Sequence, residues 1–96
     1  MSLTERYSID RIRNRTVEMV CEAVERRIGE RSDLCQCEEC VLDLVAYTLN
    51  RATPRYATSL LGPLAPDPAL ERRIHLEIGL AIESGIRKLK EHPHHG

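Results

Sequence analysis

The chain has no tryptophan and no phenylalanine, and only three of its 96 residues are tyrosine. Its core must therefore be aliphatic. Such a core buries less area per side chain than an aromatic one, which makes a metal or a second copy a natural supplement. Neither sign of charge is in surplus: the formal net charge is -1, with 30% charged residues. Binding to duplex nucleic acid normally uses a basic excess to neutralise phosphates, so that role is not expected. No stretch approaches the roughly 18 consecutive apolar residues of a membrane span. The opening MSLTERYSID lacks the apolar core of a secretory signal. These absences lead to the expectation of a cytoplasmic protein without a membrane partner, in a compartment where thiols stay reduced. Internal repeats and low-complexity tracts are missing as well. Residues 1–96 suit one domain, with 1–8 and 92–96 as fraying ends.

What remains is helical periodicity. Val17, Val20, Cys21, Val24 and Ile28 recur at three- and four-residue steps, predicting a helix from about Ile9 to Ile28 with Ser8 as its N-cap and Gly29 as its stop. Arg15, Glu22, Glu25 and Arg26 form its solvated side. A second helix is predicted from about Glu38 to Asn50, burying Val41, Leu42, Val45, Thr48 and Leu49 and ending before Pro54. Residues 54–66, PRYATSLLGPLAP, read as an irregular connection, of a length that more often serves function than not. Asp67 as N-cap and Pro68 in the first turn open a third helix running to about Glu91. Its main face is Leu70, Ile74, Ile78, Ala81, Ile82 and Leu89. Leu76 and Leu80 lie well round from that face, and Gly79, Ser84 and Gly85 would admit a close second helix. The expected fold is all-α, a small domain of three to four helices without strands that forms a homodimer.

The densest chemistry is in SDLCQCEEC, where three of the four cysteines fall within six positions. Cys37 and Cys40 lie one turn apart at a helix start, and Cys35 approaches from the preceding loop. Free backbone N–H groups at a helix N-terminus favour thiolate, the form that binds zinc. A fourth ligand is within reach. Cys21 lies about 10 Å of helix before Ile28, and the loop from Glu30 to Cys35 spans up to about 16 Å. Cys21 is thus one candidate, and His75 or a group from another chain is the alternative. Cysteines that merely pack, a redox pair at Cys37 and Cys40, and an iron–sulfur cluster stand as rival readings, although a thioredoxin-type redox site would require a βαβ context.

CQCEECVLDLVAYTLNRATPRYATSLLG resembles the signature of the late competence development ComFB family. The matching positions are Cys35, Cys37, Cys40, Asp43, Leu49, Asn50, Pro54, Arg55 and Tyr56, with further similarity at Asn14, Glu18 and the closing His92-Pro93. Ala52-Thr53-Pro54 departs from the Leu-Pro-Pro common in the family. The resemblance implies an all-α homodimer with structural zinc on the cysteine cluster, no enzymatic activity, and binding of the second messenger cyclic di-GMP, as some members do.

The residues offer chemistry for such a ligand. Arginine pairs bidentately with phosphate or with a guanine edge, and its plane stacks on a base. Tyrosine adds a stacking face worth roughly 1–3 kcal/mol per base. Asn50, Arg51, Arg55, Tyr56 and Thr58 are the expected ligand-binding residues, joined by Arg13 from a basic run that includes Arg11 and Arg15. A two-fold ligand suits the axis of a homodimer. No acid–base pair sits in a recognisable motif, so an enzyme is not expected. Two readings remain: a receptor that relays cyclic di-GMP to a protein partner, and a zinc-stabilised structural or adaptor protein with no nucleotide ligand.

Overall fold

A computed structural model describes residues 1–58 and 67–91. Helices α1 (Leu3–Arg6), α2 (Arg15–Gly29), α3 (Glu38–Leu49) and α4 (Pro68–Glu91) dominate it, with a 3-10 turn at Ile9–Arg11. A short ladder, β1 (Arg13–Asn14) with β2 (Tyr56–Ala57), is the only sheet among the described residues. The domain is mostly helical, as expected. Residues 59–66, which include Gly62, Pro63 and Pro66 of the predicted connection, and the tail from 92 to 96 lie outside the described residues.

The ladder corrects the expected start of the first long helix. Ser8 makes no side-chain cap, whereas Asn14 accepts from Thr16 N–H at 3.1 Å and begins α2. Extended backbone at Arg13 and Asn14 is incompatible with one continuous helix from Ile9. The antiparallel register sets Arg13 against Ala57 and Asn14 against Tyr56. α1 is a single exposed turn that buries nothing.

Helix α4 is the spine. Asp67 Oδ1 accepts from Leu70 N–H at 3.1 Å, and Pro68 loses nothing at a position whose N–H has no partner inside the helix. Ile74, Ile78, Ile82 and Ile86 form one four-residue ridge and are at most 2% exposed. Burying such a side chain contributes roughly 1.5–3 kcal/mol. The ridge packs against Met19, Val20 and Val24 of α2 and Leu44 of α3, giving the aliphatic core that the composition required. Leu76 and Leu80 stand exposed at 69% and 73%, as predicted.

Gly85 receives a helix of its own chain. A Cβ there would lie 2.7 Å from Leu44 Cδ1, and the neighbouring Ser84 hydroxyl meets Tyr47 Oη at 2.7 Å. The close approach predicted at Ser84 and Gly85 is thus the α3–α4 contact, while Gly79 faces open space.

Two faces are rotated from the prediction. On α3 the buried line is Cys40, Leu44 and Thr48, and Leu42 lies on the far side, 57% exposed. On α2 the buried line is Thr16, Met19, Val20 and Val24. Val17 and Cys21 lie beyond its rim, so Cys21 is exposed rather than buried.

Candidate functional site

The cysteine cluster forms where a tied loop meets the start of α3. Cys37 is the N-cap, and Cys40 N–H points at its Sγ at 3.5 Å. Glu38 and Glu39 occupy the first turn, where the helix dipole accommodates negative charge. The loop is anchored at both ends. Gln36 Nε2 donates to Ile28 O at 3.0 Å, holding it to the end of α2. Asp33 accepts from Arg31 and from Lys90 Nζ at 2.9 Å, holding it to the end of α4. Arg31 first, and then Lys90, keep the Asp33 carboxyl well below the usual range.

The three Sγ atoms of Cys35, Cys37 and Cys40 all lie within 4.8 Å of one another, and exposure falls from Cys35 through Cys37 to buried Cys40. Tetrahedral zinc at about 2.3 Å from sulfur separates its sulfurs by roughly 3.8 Å, so only a small contraction closes the set around an ion. The Cys40 thiol is pushed up to about 12, by burial first and then by Cys37 and Cys35. A divalent cation reverses that balance, since a coordinating thiol is deprotonated outright. The donor set therefore fits a thiophilic metal ion. Neither Cys21 nor His75, both exposed, belongs to the cluster.

The second constellation is assembled by the ladder. Cα atoms of paired strand residues lie about 4.5–5.5 Å apart, so the pairing of Arg13 with Ala57 and of Asn14 with Tyr56 brings the Arg13 backbone to the segment that carries Tyr56, with the Arg13 and Tyr56 side chains on opposite faces of the ladder. Arg15 N–H donates to Arg55 O at 2.7 Å, and Arg55 N–H donates to Asn14 Oδ1 at 2.8 Å. Arg13 and Arg15 both reach the Glu18 carboxylate. Tyr56 is 63% exposed, with Arg55 and Thr58 half-buried on either side of it in the chain.

Asn50 and Arg51 are placed at the end of α3, Asn50 as its exposed C-cap. The Arg51 guanidinium sits 3.5 Å from the centre of the Tyr47 ring and donates to Tyr47 O. The described contacts of Arg51 are therefore with its own helix.

Sequence patterning did not pick out the residues that hold this region. Thr16 Oγ1 donates to Thr53 O at 2.7 Å from a fully buried position. Glu77 accepts from Thr53 N–H at 2.9 Å and from Thr53 Oγ1 at 3.1 Å. Those bonds, with Arg73 nearby, hold the Glu77 carboxyl below its ordinary value. A proline at position 53 would have no N–H to give. The available signal was a lone acid, Glu77, set between Ile74 and Ile78 on a helix that otherwise buries isoleucine.

Fold and cluster together define a small, mostly helical domain carrying three converging thiols whose geometry fits a metal ion. Among the described residues no helix is long and apolar enough to cross a membrane. The family model described as late competence development protein ComFB matches residues 13–93, most of the chain. The protein belongs to the ComFB family. No curated protein and no solved structure matches it.

Proposed function

We propose that this chain is a non-enzymatic, homodimeric, cytoplasmic signalling protein that holds zinc on Cys35, Cys37 and Cys40 and binds cyclic di-GMP, relaying the signal to a protein partner. The observation that carries this reading is the β1–β2 ladder, which joins Arg13 to the segment containing Arg55, Tyr56 and Thr58. Two sequence-distant groups with affinity for phosphate and base thus share one edge, framed by helices and not left on a free loop. A phosphate arriving there exchanges with the Glu18 carboxylate for Arg13, so one ion pair replaces another. Tyr56 supplies an exposed ring for a guanine. Asn50 and Arg51 line the approach from α3, with Arg51 first leaving the Tyr47 ring. A two-fold ligand on a two-fold axis would repeat these contacts from a second copy, and exposed Leu76 and Leu80 offer that copy an apolar surface.

Leu76 and Leu80 also favour the second reading, an adaptor that docks a partner protein on α4 and takes no nucleotide. Calorimetric titration with cyclic di-GMP separates the two. The receptor reading expects heat and an upward thermal shift that weaken in Arg55→Ala and Tyr56→Ala. No heat and no shift at millimolar nucleotide would reject it in favour of the adaptor.

A further inference from the structure

Cys40 is the hub of the thiol cluster. It is buried, and the Cys37 and Cys35 side chains both hydrogen-bond with it. Cys35 is exposed, Cys37 is half-buried, and all three sulfurs lie within 4.8 Å of one another. An exposed thiol beside one that solvent does not reach is the arrangement of an oxidisable pair. The outer sulfur meets the oxidant, and the inner one resolves the product.

The geometry also favours one pairing. Cys37 already serves as the N-cap of α3, its sulfur turned to the Cys40 N–H at 3.5 Å. A bond from Cys35 to Cys40 leaves that cap in place, whereas a bond from Cys37 draws its sulfur away. Sulfurs no more than 4.8 Å apart need to close by at most about 3 Å to reach disulfide length. Cys35 lies outside any helix, so the loop can follow the movement. Cys21, exposed on α2, is not part of the cluster.

We propose that the cluster is a thiol switch, in which hydrogen peroxide joins Cys35 to Cys40 as a disulfide and dismantles the three-sulfur set. The Cys35 sulfur attacks one peroxide oxygen and breaks the O–O bond, leaving a sulfenic acid and one water. The Cys40 sulfur then displaces the hydroxyl of that sulfenic acid as a second water, forming the S–S bond. The two thiols have lost two electrons and two protons, and the peroxide has become two waters. An external dithiol reverses the change by exchange. The disulfide does not require a metal ion and competes with one. Where the zinc reading above holds, oxidation releases the ion, because Cys37 alone remains as a thiol ligand.

The test uses the full chain with Cys21→Ser as parent, and adds Cys35→Ser, Cys37→Ser or Cys40→Ala to it. Each protein is stripped with a chelator, checked for folding by circular dichroism, and treated with an equivalent of hydrogen peroxide. The parent should lose two of its three thiols, with Cys35 mapped to Cys40 by mass spectrometry, and should regain them with dithiothreitol. Cys37→Ser should still close the bond, and the other two variants should not. The map in the parent decides the pairing even if a variant fails to fold. A parent whose thiols survive, or which yields only sulfinic acid or linked chains, overturns the switch. A bond mapped to Cys37 overturns the pairing. Zinc loaded beforehand should slow the oxidation and appear in solution as it proceeds. If the parent binds no zinc, the metal reading fails, while a mapped Cys35–Cys40 bond still supports the switch.

Discussion

Asn14 Oδ1 accepts from Arg55 N–H at 2.8 Å and from Thr16 N–H at 3.1 Å, so one side chain both caps α2 and fastens the ladder to it. Asn14→Ala removes the cap, worth roughly 0.5–2 kcal/mol, and a cross-segment hydrogen bond of about 1 kcal/mol. Urea unfolding should show a loss of about 1.5–3 kcal/mol, most of it restored in Asn14→Asp, which keeps the acceptor. An alanine variant as stable as the parent would mean the ladder is held by something else.

The two glycines of α4 should respond in opposite directions. A Cβ at Gly85 meets Leu44 Cδ1 at 2.7 Å and Tyr47 Cδ1 at 3.0 Å, and neither is free to yield. Leu44 is buried in the core and Tyr47 is held by Ser84. Gly85→Ala should cost about 1–3 kcal/mol. Gly79 has nothing within 4 Å, so Gly79→Ala should stabilise by about 0.5–1 kcal/mol through helix propensity alone. Thermal melts of the two variants, read together, check both signs.

Thr48 Oγ1 is fully buried and has no hydrogen-bond partner among the described residues. Valine has nearly the same shape and no hydroxyl to desolvate. Thr48→Val should therefore raise stability by about 1 kcal/mol, measured by denaturant midpoint. A clear decrease would reveal a partner for that hydroxyl.

Glu77 carries a pH signature. Its carboxyl is held below the ordinary value of 4.5, by the Thr53 N–H first, with the Thr53 hydroxyl and Arg73 adding to it against the cost of burial. A carboxyl lowered on folding contributes stability above its unfolded value, and that contribution is lost as pH falls through the folded value. The stability gap between wild type and Glu77→Gln should be full at pH 7 and should narrow below about pH 4.5. A gap that stays constant through the acid range would assign the loss to geometry rather than charge.

Serine replaces cysteine at position 37 without losing the N-cap, since it is among the preferred capping residues. Cys37→Ser should therefore read the metal ligand alone. With zinc present the variant should melt below wild type, and with a strong chelator the two should nearly coincide. If chelation leaves the difference in place, Cys37 matters for packing and not for a metal.

Helix existence was legible because apolar spacing and capping chemistry are local. Asp67 and Pro68 mark the start of α4, and its isoleucines repeat every four residues. Which side of α3 faces inward was not legible. Val41, Leu42 and Val45 are as apolar as Leu44, and the close fit of Leu44 and Tyr47 on Gly85 decides the rotation. The start of α2 was misplaced for a related reason. Nothing local at Arg13 and Asn14 announces a strand whose partner lies more than forty residues away.

The candidate site divides in the same way. Cys35, Cys37 and Cys40 were readable from spacing, because one turn of helix and a short loop suffice to converge their sulfurs. Cys21 was not separable from them, since its exposure depends on how α2 sits against α3 and α4. Sequence alone determined an aliphatic, mostly helical domain, a thiol cluster at a helix start and the family to which it belongs, all written in short-range patterns. Only the tertiary structure decided that Arg13 pairs with Ala57 and that Lys90 at the end of α4 holds Asp33 of the loop leading to the thiols. Such contacts join segments whose separation along the chain leaves no periodicity to read, and their geometry is set by how one buried ridge of isoleucines packs between two helices.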